Sequence, residues 1–451
     1  MEQDITSPVK KVHLISLGCA RNRADSEVML GSVLAKGWQV TSEIEDANVI
    51  VVNTCGFIGP AKQESIDTIL AAAEYKKTNP ELSLVVSGCL TQRYKSQLAK
   101  GLPEVDYFIG TDEFPKLSSI LAKASTEKKV YASRTNYLYD GELPKLNTLS
   151  KSSAYVKVAE GCQHNCAFCI IPAIRGPLRS RPIASVVKEV ENLVSQGVVE
   201  VNLIAQDLAA YGRDQTSGEN LLTLLRALVA VDGLYWIRLL YVYPEHIDDE
   251  FLDFFAKEDK IVKYLDVPVQ HASDRVLQNM NRNLSREELV TVFKKLRAKV
   301  PGVAIRTSVM VGFPGETEDD FNQLHDFVAE QRFDHLGCFS YSQEEGTVAG
   351  RMPDQIDEEI KTQRLAKIMG LQQEISRDLQ EQKIGETFDI LIEGPSEESD
   401  LLYKGRLSTQ APEVDGWVYL NDGPVEPHSL KRVRITEAHD YDLVGTVLEP
   451  Q

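Results

Sequence analysis

The chain has 451 residues, 43% hydrophobic and 26% charged, which is enough for about three domains with a core each. Its formal net charge of −18 favours a basic partner over a nucleic acid, and no apolar run approaches the roughly 20 residues needed to cross a bilayer. The start from Met1 to Pro8 lacks the pattern of an export signal, and an odd count of seven cysteines fits a reducing cytoplasm better than a disulfide framework.

Three apolar, strand-like runs near the start each end at a cysteine: Val12 to Gly18 before Cys19, Val49 to Thr54 before Cys55, and Leu84 to Gly88 before Cys89. A helix-like stretch follows each. This alternation predicts a doubly wound parallel sheet, whose ligand sites gather at the carboxyl ends of the strands. Buried structural cysteines are the alternative, but three in equivalent positions argue against it. Gly18, Gly56 and Gly88 suit tight turns there.

From Asp140 to Ser153 polar, Gly and Pro residues replace periodic structure and mark a boundary. Just beyond it, Glu160-Gly161-Cys162-Gln163-His164-Asn165-Cys166-Ala167-Phe168-Cys169 puts three thiols in one loop. Structural zinc would need His164 or a distant residue as its fourth ligand. Three thiolates can instead hold three irons of a cubane cluster and leave the fourth open. The loop resembles the signature of the radical S-adenosylmethionine (SAM) enzymes, including Phe168 before the last cysteine.

Strand-like runs then recur at Tyr155 to Ala159, Val199 to Ile204, Tyr235 to Tyr241, Tyr264 to Val269, Val303 to Val311 and Phe333 to Ser340, with helix-length segments between. Periodicity alone does not separate an open sheet from a barrel. The radical SAM resemblance implies a partial (β/α)6 barrel with its site at the carboxyl ends of the strands. It also implies SAM contacts at Gln206 and Asp207 after the second strand and at Gly312 after the fifth. For Gly312 to Thr317, an ordinary turn into a helix with Thr317 as N-cap and Asp320 three residues on is an equal reading. Arg175, Arg179 and Arg181 could hold a carboxylate or form a solvated basic loop. His271 and Cys338 read as core residues.

Apolar residues at helical spacing from Asp357 to Gln380 predict a long connecting helix. Beyond Gly385, short alternating runs broken by Gly and Pro read as a small antiparallel barrel, which resembles the oligonucleotide-binding-like TRAM domain. From Ile384 to Gln451 there are 14 acidic residues against five basic ones, a balance of −9. That surface repels phosphate and suits a basic protein.

Ser16-Leu17-Gly18-Cys19-Ala20-Arg21-Asn22, Val52-Asn53-Thr54-Cys55-Gly56-Phe57-Ile58, Ser87-Gly88-Cys89, the cysteine loop and Tyr341-Ser342-Gln343-Glu344-Glu345-Gly346-Thr347 together resemble the methylthiotransferase family. Ala20 and Arg21 stand where the family often has proline and lysine. The resemblance implies an auxiliary 4Fe–4S cluster on Cys19, Cys55 and Cys89, and a second on Cys162, Cys166 and Cys169 that binds SAM. It implies domains over 1–145, 150–380 and 384–449. Gly56-Phe57-Ile58 and Glu344-Glu345-Gly346-Thr347 look like the branch that methylthiolates the β-carbon of an aspartate in small-subunit ribosomal protein twelve. One SAM would yield the 5′-deoxyadenosyl radical and another the methyl group. Methylthiolation of a tRNA adenosine is the alternative, and a non-enzymatic iron–sulfur scaffold or sensor the remote one. The expected partners are that ribosomal protein, an electron donor such as a flavodoxin or ferredoxin, and a sulfur donor. No membrane and no RNA partner is expected, and the expected location is the cytoplasm.

Overall fold

Every residue of Val49–Thr54 is buried, as a β-branched run covered by helices on both faces must be. In the computed structural model, which describes residues 9–122, 129–133, 135–399, 401–421 and 425–448, this run is β3 of a six-stranded sheet. The sheet order is β2-β1-β3-β4-β5-β6, all parallel, from β1 (Lys11–Ser16), β2 (Gln39–Val40), β4 (Ser83–Gly88), β5 (Tyr107–Ile109) and β6 (Lys129–Tyr131). Alternate residues feed two cores: Val51 and Val85 face one helix layer, Ile50 and Leu84 the other. The order reverses between β1 and β3, where doubly wound sheets open a crevice.

Residues 135–152 carry no strand or helix, yet they are tied down. Leu146 and Thr148 donate to Glu27 on the helix Ala20–Leu34, at 3.0 and 2.9 Å.

The second sheet holds β7 (Ser153–Lys157), β10 (Glu200–Ile204), β11 (Trp236–Leu239), β12 (Ile261–Asp266), β13 (Ala304–Val311) and β14 (His335–Ser340), side by side in chain order and all parallel. Consecutive right-handed strand-helix units of this kind curve into the expected partial barrel. A short ribbon, β8 (Ala159–Glu160) with β9 (Arg179–Ser180), brackets the cysteine loop. β12 begins and ends three residues earlier than the apolar run suggested, because Pro268 inside that run has no N–H to give a ladder.

β15 (Thr387–Pro395), β16 (Tyr403–Leu407), β17 (Val418–Leu420), β18 (Leu430–Ala438) and β19 (Leu443–Val447) close a small barrel around Ile390, Val418, Val433 and Leu443. Four of its pairings are antiparallel and β17–β19 is parallel. The helix Glu358–Glu381 buries Ile368 and Ile375 against the second sheet and reaches the small barrel through Ser376, which donates to the Asp440 carbonyl at 2.6 Å. Arg406 of β16 crosses to Glu200 of β10 at 2.5 Å, and Arg238 of β11 meets the same carboxylate at 2.8 Å. Met1 to Pro8, and Asp400, Asp422, Gly423, Pro424 and Glu449 of the acidic tail, lie outside the described residues. No helix among the described residues is long and apolar enough to cross a membrane.

Candidate functional site: two cysteine trios at one cavity

Cys19 is the N-cap of the helix after β1, Cys55 follows β3, and Cys89 opens the helix after β4. Since β1, β3 and β4 are neighbours, the three thiols meet at one sheet edge. Gly88 makes this possible: its φ is +97°, and a Cβ there would sit 2.4 Å from the Asn53 side chain. Burial, reinforced by Cys89 and Cys19, pushes the Cys55 thiol up to about 12. Burial also raises Cys19, but Arg21 and Arg175 outweigh it and leave that thiol below its ordinary value.

The second trio lies on the loop after β8. Burial lifts Cys162 to about 11 and Cys169 to about 12, with Cys166 adding repulsion to both. Burial thus favours the protonated form of Cys162 and Cys169, and binding metal must release those protons.

A cavity of about 600 Å³ is lined by all three cysteines of the loop and by Cys19, though not Cys55 or Cys89, of the first trio, and by Glu413 and Val414 from the third domain. The Tyr243 hydroxyl lies 2.9 Å from Cys166 Sγ, where it donates once the sulfur is a thiolate. His164 stacks on the Tyr243 ring at 4.0 Å and Arg282 lies 4.0 Å from it, which fixes the hydroxyl. Behind the cavity, Arg175 reaches from the barrel into the first domain. It donates to Asp25 at 2.9 Å, Glu160 at 3.0 Å and Cys89 Sγ at 3.4 Å. Lys157 also pairs with both Asp25 and Glu160, so two cations balance two carboxylates in a buried cluster.

Glu344 forms another crossing. Burial opposes its charge, but Lys62 at 2.6 Å, Ser342 at 2.8 Å and Arg93 at 2.8 Å hold its carboxyl below the ordinary value. Lys62 and Arg93 stand on the helices Gly59–Glu74 and Cys89–Gly101, so this acid clasps the end of the barrel to the first domain.

Gln206 lines the cavity. Its Nε2 donates to Glu160 at 2.8 Å, while its buried Oε1 has no partner. Asp207 and Gly312 are not among the lining residues. Asp207 accepts from the Ala209 amide and holds His164 Nε2 at 2.7 Å, which orients the cysteine loop instead. Gly312 has φ +74° with Lys361 packed where a Cβ would go, and its amide donates to Glu316. The following helix is capped by Thr317 with Asp320, so the turn into a helix is present. Arg175, Arg179 and Arg181 form neither a solvated loop nor a cavity wall. Arg181 is buried on Glu189 at 2.6 Å, and Arg179 donates to the carbonyls of Tyr137, Arg175 and Pro177. Sequence reasoning missed Tyr243, Arg282, Lys62 and Arg93, since nothing in a single chain pairs residues so far apart.

The donor set suits the groups in question. Each trio offers three thiols, so a cubane at either one keeps one iron without a ligand from its own trio. The orphaned Gln206 Oε1 is an acceptor of the kind an ammonium group takes.

Three family models match: Uncharacterized protein family UPF0004 over residues 11–110, the Radical SAM superfamily over 156–328 and the TRAM domain over 384–448. In fold the chain is similar to the radical S-adenosylmethionine methyltransferase TsrM of Kitasatospora setae, which was solved with cobalamin and a [4Fe-4S] cluster. That likeness has a TM-score of 0.54 at 15% identity, over 76% of this chain and 74% of that one. The cobalamin-dependent radical enzyme OxsB gives 0.52 at 12%, over 80% and 56%. Relatives called ribosomal protein uS12 methylthiotransferase RimO are 48% identical in Geotalea uraniireducens, over 98% of this chain and 99% of that one, and 48% identical in Myxococcus xanthus, over 98% and 93%. With that identity sustained along nearly the whole of both chains, the protein belongs to the RimO family of radical SAM methylthiotransferases.

Proposed function

We propose that this protein replaces the β-carbon hydrogen of an aspartate in ribosomal protein uS12 with a methylthio group, using two 4Fe–4S clusters and SAM. The observation that carries this reading is one cavity lined by all three cysteines of the loop and by Cys19 of the first trio, in a chain alike from end to end to enzymes of that name. Cys19, Cys55 and Cys89 are the ligands of the auxiliary cluster, and Cys162, Cys166 and Cys169 those of the SAM cluster. When bound, the clusters and SAM supply the electron, the hydrogen-abstracting radical, the sulfur and the methyl group, which no side chain here can provide.

The chain's own residues bind, orient and enclose. Gln206 Oε1 would accept from the SAM amino group, the Tyr243 hydroxyl would donate to a Cys166 thiolate, and Glu413 and Val414 wall the cavity from the third domain. The domains span 1–145, 150–380 and 384–449. The acidic third domain, at −9 over Ile384 to Gln451, steers a basic ribosomal protein toward the cavity mouth. An electron donor such as a flavodoxin or ferredoxin and a separate sulfur donor complete the cycle, in the cytoplasm. Mass spectrometry of uS12, beside nucleoside analysis of tRNA, from cells with and without the gene tests this reading. Loss of methylthio-aspartate alone is expected; loss of methylthio-adenosine alone would move the substrate to RNA.

A further inference from the structure

Three guanidinium groups line the cavity, from Arg21, Arg23 and Arg306. Two are already matched. Arg23 pairs with Glu413 at 2.5 Å. Arg306 lies between Asp266 at 3.3 Å and Asp415 at 3.5 Å. Glu413 and Asp266 are the acidic residues of the cavity wall, so both are spent on these pairs.

Arg21 is different. One of its Nη atoms donates to the Ala205 carbonyl at 2.9 Å, and its plane lies 4.3 Å from the centroid of the Tyr241 ring. Its other neighbour is the Cys19 sulfur. Among the described residues it has no carboxylate partner. A guanidinium presents five N–H donors in a fixed fork, and a carbonyl and a sulfur engage only part of it. The group is also held rigidly: it grows from the first domain beside Cys19, yet it is fastened to the carboxyl end of β10 by Ala205 and to the residue row after β11 by Tyr241. A half-buried cation fixed beside the first trio, with the Cys19 sulfur opposite it but no carboxylate, has fork positions left for an oxygen anion.

We propose that Arg21 binds the side-chain carboxylate of the substrate aspartate and so makes the cavity selective for an acidic side chain. This rests on the protein-substrate reading above. The position supports it: the guanidinium lies beside Cys19, so an aspartate held by its carboxylate presents its β-carbon one bond away, between the two trios. The carboxylate of SAM carries the same chemistry and is the rival occupant. SAM would sit with Cys162, Cys166, Cys169 and Gln206, and Arg21 is held at Ala205 beside Gln206, so the test must separate the two occupants.

The test measures dissociation constants on the anaerobically reconstituted, full-length protein for a synthetic peptide carrying the uS12 target aspartate, and for the same peptide with asparagine in that place. The unaltered protein is expected to prefer the aspartate peptide by at least about tenfold, the worth of a charge-assisted hydrogen bond. Arg21→Gln should erase most of that preference, and Arg21→Lys should keep most of it. An unaltered protein that binds both peptides equally overturns the proposal before any variant is made. So does an Arg21→Gln protein that keeps the preference. If Arg21→Gln weakens SAM binding tenfold while the peptide preference stands, the occupant is the SAM carboxylate and the proposal fails. If the unaltered protein binds neither peptide, the substrate reading itself falls, and this inference with it.

Discussion

Single side chains around the cysteine loop set the conditions for what it binds. The Tyr243 hydroxyl is fixed against Cys166, and hydrogen bonds to cluster sulfurs shift reduction potential. Tyr243→Phe removes that one donor and keeps the ring between His164 and Arg282. Iron content should be retained while turnover falls about 10- to 100-fold, as measured by iron analysis and product formation. Cys166→Ala is more severe: turnover should vanish and the iron bound per chain should fall to about half, because the trio in the first domain is untouched. Retention of turnover with half the iron would contradict the radical mechanism. The six cysteines were legible in the chain because each set has a local mark, a loop spacing or a strand end. Asp207 could not be placed from the chain alone. A carboxylate at a strand end looks the same whether it faces the cavity or turns back, and only the ring of His164 decides it.

At the scale of elements, strands ending in cysteines and the order of strand-helix units could be read directly, since parallel strands are apolar on both faces and helices carry their own caps. The crossings between elements could not. Glu344 looked like a branch marker near the end of the barrel, and its meaning emerged only when Lys62 and Arg93 closed on it from far along the chain. Glu200 is similar. Burial disfavours its charge, but Arg406 and Arg238 win and hold its carboxyl at about 2, below the ordinary 4.5. Its contribution is therefore full above pH 4.5 and is lost as the pH falls through about 2. Glu200→Gln leaves Arg238 without its carboxylate at the seam of the second and third domains, while Arg406 keeps Glu393 at 2.5 Å. It should cost about 3–5 kcal/mol at neutral pH. Urea midpoints should differ most at neutral pH and converge as the pH falls below 4.5. A gap that widens in acid would show that Glu200 is not the charged partner.

For the whole molecule, charge and architecture point to one kind of encounter. A chain of net charge −18 meets a basic protein faster at low ionic strength than at high. The rate on uS12 should therefore fall as salt is added, while SAM binding inside the cavity changes little. Equal salt dependence of both would argue against steering by the acidic surface. Sequence patterning was enough to anticipate three domains. It could not show how they share walls, because docking depends on loops whose residues have no period. The loop from Ala411 to Asp415 is one of these. Tyr155 and Tyr264 of the barrel reach it with their hydroxyls, and Glu413 and Val414 turn into the cavity. A tail exchanged between relatives would thus carry part of the reaction chamber with it. Five residues of that loop make a compact handle for retargeting the enzyme, far from either set of cysteines in the chain and beside both in space.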